Sequence, residues 1–335
     1  MTADRSEIRL AAQPEDVHIS FDDNALLPML YGEFDRNLAR VEQRLAVSLS
    51  SRGNTVAIKG PAGQAGVARD ALAALYGRLE KGLGVDQAEV DAAIRLAEDA
   101  ANGAAETAEA PVVHTPRRHV TPRSAGQQRY MNALREAELV FGIGPAGTGK
   151  TYLAVAEAVA MLNSGAVDRI ILSRPAVEAG ERLGFLPGDM REKIDPYLRP
   201  LYDALYDMMH YDQVTKRLNA GQIEIAPLAF MRGRTLSNAF VILDEAQNTT
   251  RVQMKMFLTR LGENARMVVT GDLSQVDLPP GVTSGLAHAV DTVRGIKDVR
   301  VVEFDDSDVV RHGLVVRIVQ AYDEPGAGAV FEEDG

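Results

Sequence analysis

A glycine-rich segment between an apolar run and a helical pattern constrains this chain more than any other feature. The apolar run covers 139–143, the helical pattern runs from Tyr152 to Leu162, and between them lies the segment Gly144-Pro145-Ala146-Gly147-Thr148-Gly149-Lys150-Thr151. Glycines let backbone N–H groups turn inward around phosphate oxygens, and a helix that begins near Lys150 directs the positive end of its dipole at them. The pattern by itself also occurs as an ordinary strand-to-helix turn, but a strand before it and a helix after it indicate a phosphate-binding loop.

The two residues that close the loop have separate expected roles. The Lys150 ammonium would reach the β and γ phosphates of a nucleotide, and the Thr151 hydroxyl would hold Mg²⁺. The expected nucleotide-binding set is therefore Gly144, Pro145, Ala146, Gly147, Thr148, Gly149, Lys150 and Thr151.

Two acids follow a second apolar run, 240–243, as Asp244 and Glu245. An apolar strand of this kind delivers them at its carboxyl end, where open α/β sheets bind ligands. Asp244 would orient the Mg²⁺ ligands, and Glu245 would act as general base on the attacking water. One of the acids could be purely structural, yet a pair beside a phosphate loop favours hydrolysis over binding alone.

Two glutamines complete the candidate site. Gln275 ends the run Gly271-Asp272-Leu273-Ser274-Gln275 after a third apolar strand, where it would sense the γ-phosphate; the alternative is a turn residue that caps its own backbone. Gln127 lies upstream of the loop, where its amide would read the adenine edge. The chain lacks the Asn-Lys-x-Asp sequence that reads guanine in GTPases, so we expect ATP with Mg²⁺ as the ligands.

Composition narrows the class of protein further. The chain has 335 residues, which predicts about two domains, and no cysteine, which excludes disulfides and thiolate chemistry. Its six histidines show no i, i+4 pairing typical of a metal site on a helix. No signal-peptide run follows Met1 and no apolar run is long enough to span a membrane, so we expect a cytoplasmic protein without a membrane partner.

The pattern of apolar runs and turns predicts two folded regions. Residues 15–100 indicate a small α/β domain, 101–120 a linker, 121–322 an α/β domain with a parallel sheet covered on both faces, and 323–335 an acidic tail. In the first region, Gly60 to Gly66 imitates the phosphate loop but has no Lys-Thr, so no phosphate site is expected there.

The net charge of −11 argues against a wholly basic nucleic-acid coat, but a local basic stretch remains. It could contact RNA or be a solvated linker. Its members are Arg117, Arg118, His119, Arg123 and Arg129.

Four motifs together resemble the PhoH-like ATPases of bacteria: the phosphate loop, the run from Ser173 to Asp189, the run from Asp244 to Asn248, and the run from Gly271 to Gln275. The resemblance covers about 121–322. It implies a RecA-like core related to superfamily 1 helicases, a cytoplasmic location and a role in RNA metabolism. It also implies that Gln127 is the adenine-reading glutamine, that Lys150 and Thr151 are the phosphate and magnesium ligands, that Asp244 and Glu245 are the hydrolytic pair, and that Gln275 is the coupling glutamine.

The first 115 residues resemble the N-terminal region of that family more loosely, with a likeness to KH-type RNA-binding folds. The Gly60-x-x-Gly63 segment follows a predicted strand, however, whereas the KH clamp lies between helices. We therefore treat this region as a candidate RNA-binding or docking module. No space remains for the ribonuclease domain that some family members carry, so no nuclease activity is expected.

Superfamily 1 helicases close two RecA-like domains around ATP, whereas the sequence of this chain predicts a single such domain. Either the chain forms a homo-oligomer in which a neighbour completes the site with an arginine, or the protein does not unwind nucleic acid; we expect the homo-oligomer. The candidates are Arg232, Arg234, Arg260 and Arg311, and the family likeness favours Arg311.

Three functions compete at this point. The first is a helicase-like, RNA-associated remodelling ATPase. The second is an ATP-dependent switch or assembly factor that does not act on nucleic acid. The third, a small-molecule phosphotransferase, is disfavoured because Glu245 beside Asp244 points to water as the acceptor.

Overall fold

The computed structural model describes residues 14–61, 63–103, 110–175, 190–310 and 315. The chain divides into two compact units. The first unit comprises the residues up to Val112 together with Thr121–Gln128, and the second comprises Val113–Val120 together with the residues from Arg129 onward. The predicted start of the larger domain, at 121, differs from this division because the chain crosses between the units more than once.

The first unit is a small α/β domain with a three-stranded antiparallel sheet in the order β1-β3-β2. In β3, Val56 and Ile58 are fully buried while their neighbours are less so, which is the alternation of a strand with one covered face. β2 and β3 form a hairpin whose turn contains Gly53. The strands are β1 (Pro14–Ser20), β2 (Ser48–Arg52) and β3 (Thr55–Pro61), and the helices are α1 (Leu27–Tyr31), α2 (Arg36–Leu45), α3 (Gln64–Glu80) and α4 (Gln87–Ala101).

The second unit is built on a six-stranded parallel sheet in the order β11-β6-β10-β9-β7-β8. Alternate residues of one central strand enter different cores: Phe240 and Ile242 pack in one, Val241 and Leu243 in the other. The sheet is therefore covered on both faces, as predicted. Its strands are β6 (Leu139–Ile143), β7 (Arg169–Arg174), β8 (Ile223–Pro227), β9 (Ala239–Leu243), β10 (Arg266–Gly271) and β11 (Val299–Glu303).

Two helices of the second unit have ends that local sequence signals explain. The helix that follows the loop ends at Gly165, which has φ +74° and bonds back to Leu162 O. A capping box begins the helix that follows Thr250, since Thr250 accepts from Gln253 N and the Gln253 side chain accepts from Thr250 N. The helices from Ala125 onward are α5 (Ala125–Glu136), α6 (Lys150–Ser164), α7 (Met190–Met208), α8 (Tyr211–Asn219), α9 (Arg251–Leu258) and α10 (Gly285–Val293).

The predicted linker at 101–120 differs from the structure at both ends. At its start, α4 extends to Ala101, and at its end β4 (Val113–His114) pairs with β5 (His119–Val120) as a two-stranded hairpin. Val113 and Val120 are buried in the core of the second unit, and Arg117 N donates to Met208 O at 3.1 Å. Two buried valines at either end of a polar turn therefore make this segment part of the folded unit.

None of the helices in the described part of the chain is long and apolar enough to cross a membrane. The run from Ala176 to Asp189, the expected tail at 323–335 and the candidate Arg311 lie outside the described residues.

Candidate nucleotide site

The phosphate loop leaves β6 at a glycine that no other residue could replace without rearrangement. Gly144 has φ +147°, and a Cβ added there would lie 2.5 Å from Phe304 O. Gly147 and Gly149 have φ values of +89° and +82°, in the region that favours glycine. Gly144 N donates to Gly271 O at 3.1 Å, which ties the start of the loop to the end of β10.

Lys150 begins α6, and its ammonium is folded into the loop. Its Nζ donates to Gly144 O at 2.7 Å, to Pro145 O at 2.8 Å and to Thr148 Oγ1 at 3.3 Å. Burial lowers the pKa of Lys150, and the carboxylates of nearby acids, Asp272 first, oppose that shift. These hydrogen-bond partners are neutral, so the ammonium carries a positive charge that an entering anion would meet.

Thr151 and Asp244 come together at the carboxyl end of the sheet. The Thr151 hydroxyl donates to Asp244 Oδ1 at 2.6 Å, and the Thr270 hydroxyl donates to the same oxygen at 2.7 Å. Asp244 is buried, and its backbone N donates to Ser173 O on β7 at 2.9 Å. A hydroxyl and a carboxylate are hard oxygen ligands of the kind that Mg²⁺ takes together with substrate phosphates. The residues expected to hold Mg²⁺ thus fit that ion.

Glu245 lies next to this pair in a strained backbone conformation. Its φ of +54° and ψ of +38° are left-handed, a region that costs a non-glycine residue about 1–3 kcal/mol and tends to occur at functional sites. Oε1 accepts from Arg174 Nη2 at 2.6 Å, and Oε2 accepts from Gln247 Nε2 at 2.6 Å. Both carboxylate oxygens are therefore engaged.

Gln275 reaches the same cavity on the loop after β10. Its Nε2 donates to Asp272 Oδ2 at 2.8 Å, and its backbone N donates to Asp272 O, so it stabilises its own turn as well as facing the site. Gln247 joins this loop to Glu245: its Nε2 also donates to Gln275 O at 3.1 Å, and its Oε1 accepts from Asp272 N at 3.0 Å.

These groups line one cavity of about 280 Å³ at the carboxyl ends of β6, β9 and β10. A backbone loop with a lysine occupies one side, and the acids and Gln275 occupy the other, an arrangement suited to an anion with a bound divalent cation. The lining residues are Ala146, Gly147, Gly149, Lys150, Thr151, Tyr152, Asp244, Glu245, Gly271, Asp272 and Gln275.

Gln127 is buried on α5, where its Oε1 accepts a hydrogen bond from Arg123 N at 2.8 Å. It belongs to the first unit, which is described separately from the cavity. Its role as the adenine reader stays a prediction.

The arginines proposed as fingers have different environments. Arg234 makes a two-point contact with Glu224 at 2.6 and 2.7 Å, and Arg260 donates to Arg234 O and Met256 O. Arg232 is exposed. The first two are therefore engaged within the subunit, which leaves Arg232 and the undescribed Arg311 as candidates.

Sequence reasoning missed the site roles of Arg174, Gln247 and Thr270. Each lies at or just beyond the carboxyl end of a parallel strand, which is the one signal that could have found them. Thr270 is the last residue but one of β10, and Arg174 is the last residue of β7.

The parallel sheet, the glycine-rich loop after β6 and the acids after β9 define a P-loop nucleotide-binding protein with a RecA-like core. The comparisons with known proteins agree with this class. The chain belongs to the PhoH-like protein family, whose model matches residues 119–323. The resemblance seen in its motifs is thereby confirmed.

Relatives match over most of the chain. The chain is 49% identical over 297 residues to a PhoH-like protein of Bacillus subtilis (strain 168), which covers 88% of this chain and 93% of the relative. It is 50% identical over 303 residues to a PhoH-like protein of Mycobacterium tuberculosis (strain ATCC 25618 / H37Rv), covering 89% and 86%. The match to Protein PhoH of Escherichia coli (strain K12) is 48% over 205 residues, covering 61% of this chain and 58% of the relative.

Proposed function

We propose that this protein binds ATP with Mg²⁺ and hydrolyses it. The observation that carries the proposal is that Lys150, Thr151 and Asp244 meet at one cavity, with Glu245 beside them. A lysine in a backbone cradle supplies charge for phosphates, and a hydroxyl with a carboxylate supplies ligands for Mg²⁺. An additional carboxylate beyond these serves no binding need, which supports hydrolysis rather than storage of the nucleotide.

Each residue has a separate task in this chemistry. Backbone N–H groups of the loop and the Lys150 ammonium bind the phosphates, while Thr151 and Asp244 hold the metal. When bound, Mg²⁺ neutralises charge that develops on the phosphate oxygens. Glu245 accepts the proton of the attacking water at a carboxylate oxygen, and Gln275 faces the γ-phosphate. Each Glu245 oxygen accepts one hydrogen bond, from Arg174 or from Gln247, and these two bonds orient the carboxylate.

The partner we propose for this ATPase is RNA, with a helicase-like remodelling role in the cytoplasm. Support comes from the turn of the β4–β5 hairpin, where Arg117 and Arg118 are exposed. Arg117 Nη1 donates to the backbone oxygen of Tyr206 on α7. The Tyr206 ring stacks on the Tyr211 ring, with 5.3 Å between their centroids. Arginines beside an exposed stack of aromatic rings are typical of surfaces that bind single-stranded nucleic acid. Tyr211 is 66% exposed, so its outer face is accessible.

The structure divides the predicted basic stretch into two parts. Arg117 and Arg118 lie on the hairpin, whereas Arg123 lies 3.5 Å from Glu89 in the first unit. Arg118 is itself paired with Asp207 at 2.9 Å. This partial neutralisation, with the net charge of −11, favours the second candidate, an ATP-dependent switch or assembly factor that does not contact nucleic acid.

One assay tests the proposal and separates the two candidates. ATP turnover is measured with Mg²⁺, with and without single-stranded RNA, for the wild-type protein and for Glu245→Gln. Turnover that depends on Glu245 and rises with RNA supports the remodelling ATPase. Turnover that RNA does not change supports the switch. If the wild-type protein shows no turnover at all, the proposed hydrolysis is contradicted.

We further propose a homo-oligomer in which a neighbouring subunit supplies an arginine to the γ-phosphate. A single RecA-like core leaves one side of that phosphate open, and an arginine finger contributes about 10³ to 10⁵ in rate where it occurs. Arg311 remains the first candidate by family likeness, and Arg232 is the second because it is exposed.

A further inference from the structure

Arg174 contacts both candidate catalytic acids. Its Nη2 donates to Glu245 Oε1 at 2.6 Å, and its Nε lies 3.6 Å from Asp244 Oδ2. The arginine side chain is 18% exposed and that of Asp244 is 8% exposed, so this contact is largely shielded from water, whereas Glu245 is 38% exposed. The guanidinium thus lies beside two acids that line the cavity.

The sheet itself fixes this arginine in place. β7 pairs with β9 in parallel, with Ser173 opposite Leu243, so the next residue on each strand is Arg174 and Asp244. The bond from Asp244 N to Ser173 O continues the pairing by one step. Arg174 therefore approaches the acids from a rigid strand end, whereas a residue on a loop would have more freedom.

Hydrogen bonds to Arg174 and Gln247 hold the Glu245 carboxylate in one direction. Arg174 takes one carboxylate oxygen and Gln247 the other, while the left-handed backbone of Glu245 keeps the carboxylate turned toward them. A general base must turn a free lone pair toward the water it activates. Each oxygen of Glu245 accepts one hydrogen bond and keeps a second lone pair, and the side chain is 38% exposed, so Arg174 and Gln247 set the direction of the carboxylate.

We propose that Arg174 is a positioning residue that restrains Glu245 and competes with the divalent cation for the two carboxylates. Entry of the cation at Asp244 weakens the hold of Arg174, and loss of its contact with Glu245 frees the base. The restraint of the base rests on the proposed hydrolytic function, whereas the competition between cations does not.

Arg174 also connects the acids to α7. Its Nη1 donates to Tyr197 O at 2.7 Å, and further along the same helix Asp207 accepts from the Tyr152 hydroxyl at 3.0 Å and pairs with Arg118 of the hairpin. One helix thus contacts the residue that restrains the base and the surface proposed for RNA. A partner that displaces α7 would release Glu245 through Arg174.

The first test measures the affinity of Mn²⁺ for the protein saturated with ADP, by electron paramagnetic resonance. Arg174→Gln removes a positive charge that repels Mn²⁺ and competes with it for Asp244, so Mn²⁺ binding should tighten at least about threefold. Arg174→Lys keeps the charge and should stay within about twofold of wild type. Arg169→Gln, at the other end of β7, is the matched control and should not change the affinity.

Unchanged or weaker Mn²⁺ binding in Arg174→Gln would overturn the competition. A loss of binding would instead assign the guanidinium to the nucleotide phosphates. This readout does not require hydrolysis, so it stands even if the wild-type protein proves not to be an ATPase.

The second test measures ATP turnover without RNA. The single ammonium of Arg174→Lys cannot bond to Glu245 and to the Tyr197 carbonyl in the way the planar guanidinium does. Basal turnover should therefore rise about threefold or more, and the stimulation of turnover by RNA should shrink. Arg174→Gln should do the same, and the lysine variant keeps the test available if the glutamine variant does not fold. Basal turnover that falls in the folded variants would overturn the restraint.

Discussion

Thr151 and Asp244 are 93 residues apart in the chain and share a hydrogen bond of 2.6 Å. One closes the phosphate loop and the other follows β9, and β10 lies between β6 and β9 in the sheet. The strand order therefore brings the loop and the acid across β10 to a common edge. The proposed Mg²⁺-dependent hydrolysis of ATP requires this contact between the loop and the acid.

Lys150→Ala should lower ATP affinity by at least about tenfold while leaving the fold intact. The ammonium is the mobile positive charge of the loop, and its present partners are two carbonyls and a hydroxyl that water can satisfy. Isothermal titration with a non-hydrolysable ATP analogue measures the change. Lys255→Ala, an exposed lysine on α9, is the control. Equal affinity in both variants would remove the phosphate-loop assignment.

Gly144→Ala should destabilise the second unit by about 2 kcal/mol or more. The new Cβ would lie 2.5 Å from Phe304 O, and the φ of +147° is strained for alanine. Gly77→Ala, within α3 and with open space around its Cβ position, should instead stabilise by about 0.5–1 kcal/mol. Urea unfolding followed by circular dichroism compares them, and a Gly144→Ala variant as stable as wild type would contradict the tight approach seen here.

RNA binding by the hairpin should weaken with salt. Each neutralised phosphate of a single strand contributes about −0.7 to the log-log slope, so Arg117→Ala with Arg118→Ala should flatten the slope by about one unit or more. Fluorescence anisotropy with a labelled single-stranded RNA measures it. Arg44→Ala with Arg52→Ala, two arginines of the first unit, is the matched control. A slope that both double variants leave unchanged would mean that the hairpin is not the RNA surface.

Mixed oligomers should reveal an arginine that acts across subunits. Lys150→Ala subunits keep their arginines but bind ATP poorly, whereas Arg311→Ala subunits bind ATP but lack the candidate finger. Mixing the two should restore part of the turnover if the finger acts in trans. The same experiment with Arg232→Ala tests the second candidate. Rapid hydrolysis by a strict monomer, shown by light scattering, would reject the oligomer.

The sequence predicted the parallel sheet, the loop and the acids because each depends on local signals. An apolar strand followed by glycines or by paired acids is readable residue by residue. The role of Arg174 cannot be read from the residues around it in the sequence, because its partners follow only from the pairing of β7 with β9. The sequence did not predict the β4–β5 hairpin for a related reason. Val113 and Val120 are buried in the core of the second unit, but in the sequence the polar turn between them resembles a linker.

Asp244→Asn and Glu245→Gln should separate metal binding from water activation. Loss of the Asp244 carboxylate removes the charge that Thr151 and Thr270 orient, so Mg²⁺-dependent nucleotide affinity should fall. Glu245 makes no contact with Thr151 among the described hydrogen bonds, and its change to glutamine should leave affinity within about threefold. Titration of both variants with ATP and Mg²⁺ checks the contrast. Equal losses of affinity would contradict separate roles.

Single-turnover hydrolysis by Glu245→Gln tests the central claim most directly. The substitution keeps the shape of the side chain and removes the carboxylate that accepts the proton from water. Loss of a general base costs about 10² to 10⁴ in rate, equivalent to about 3 to 5 kcal/mol of barrier. We expect a variant that binds ATP and hydrolyses it more slowly by that factor. Hydrolysis at the wild-type rate would show that the water is activated elsewhere and would contradict the assignment of Glu245.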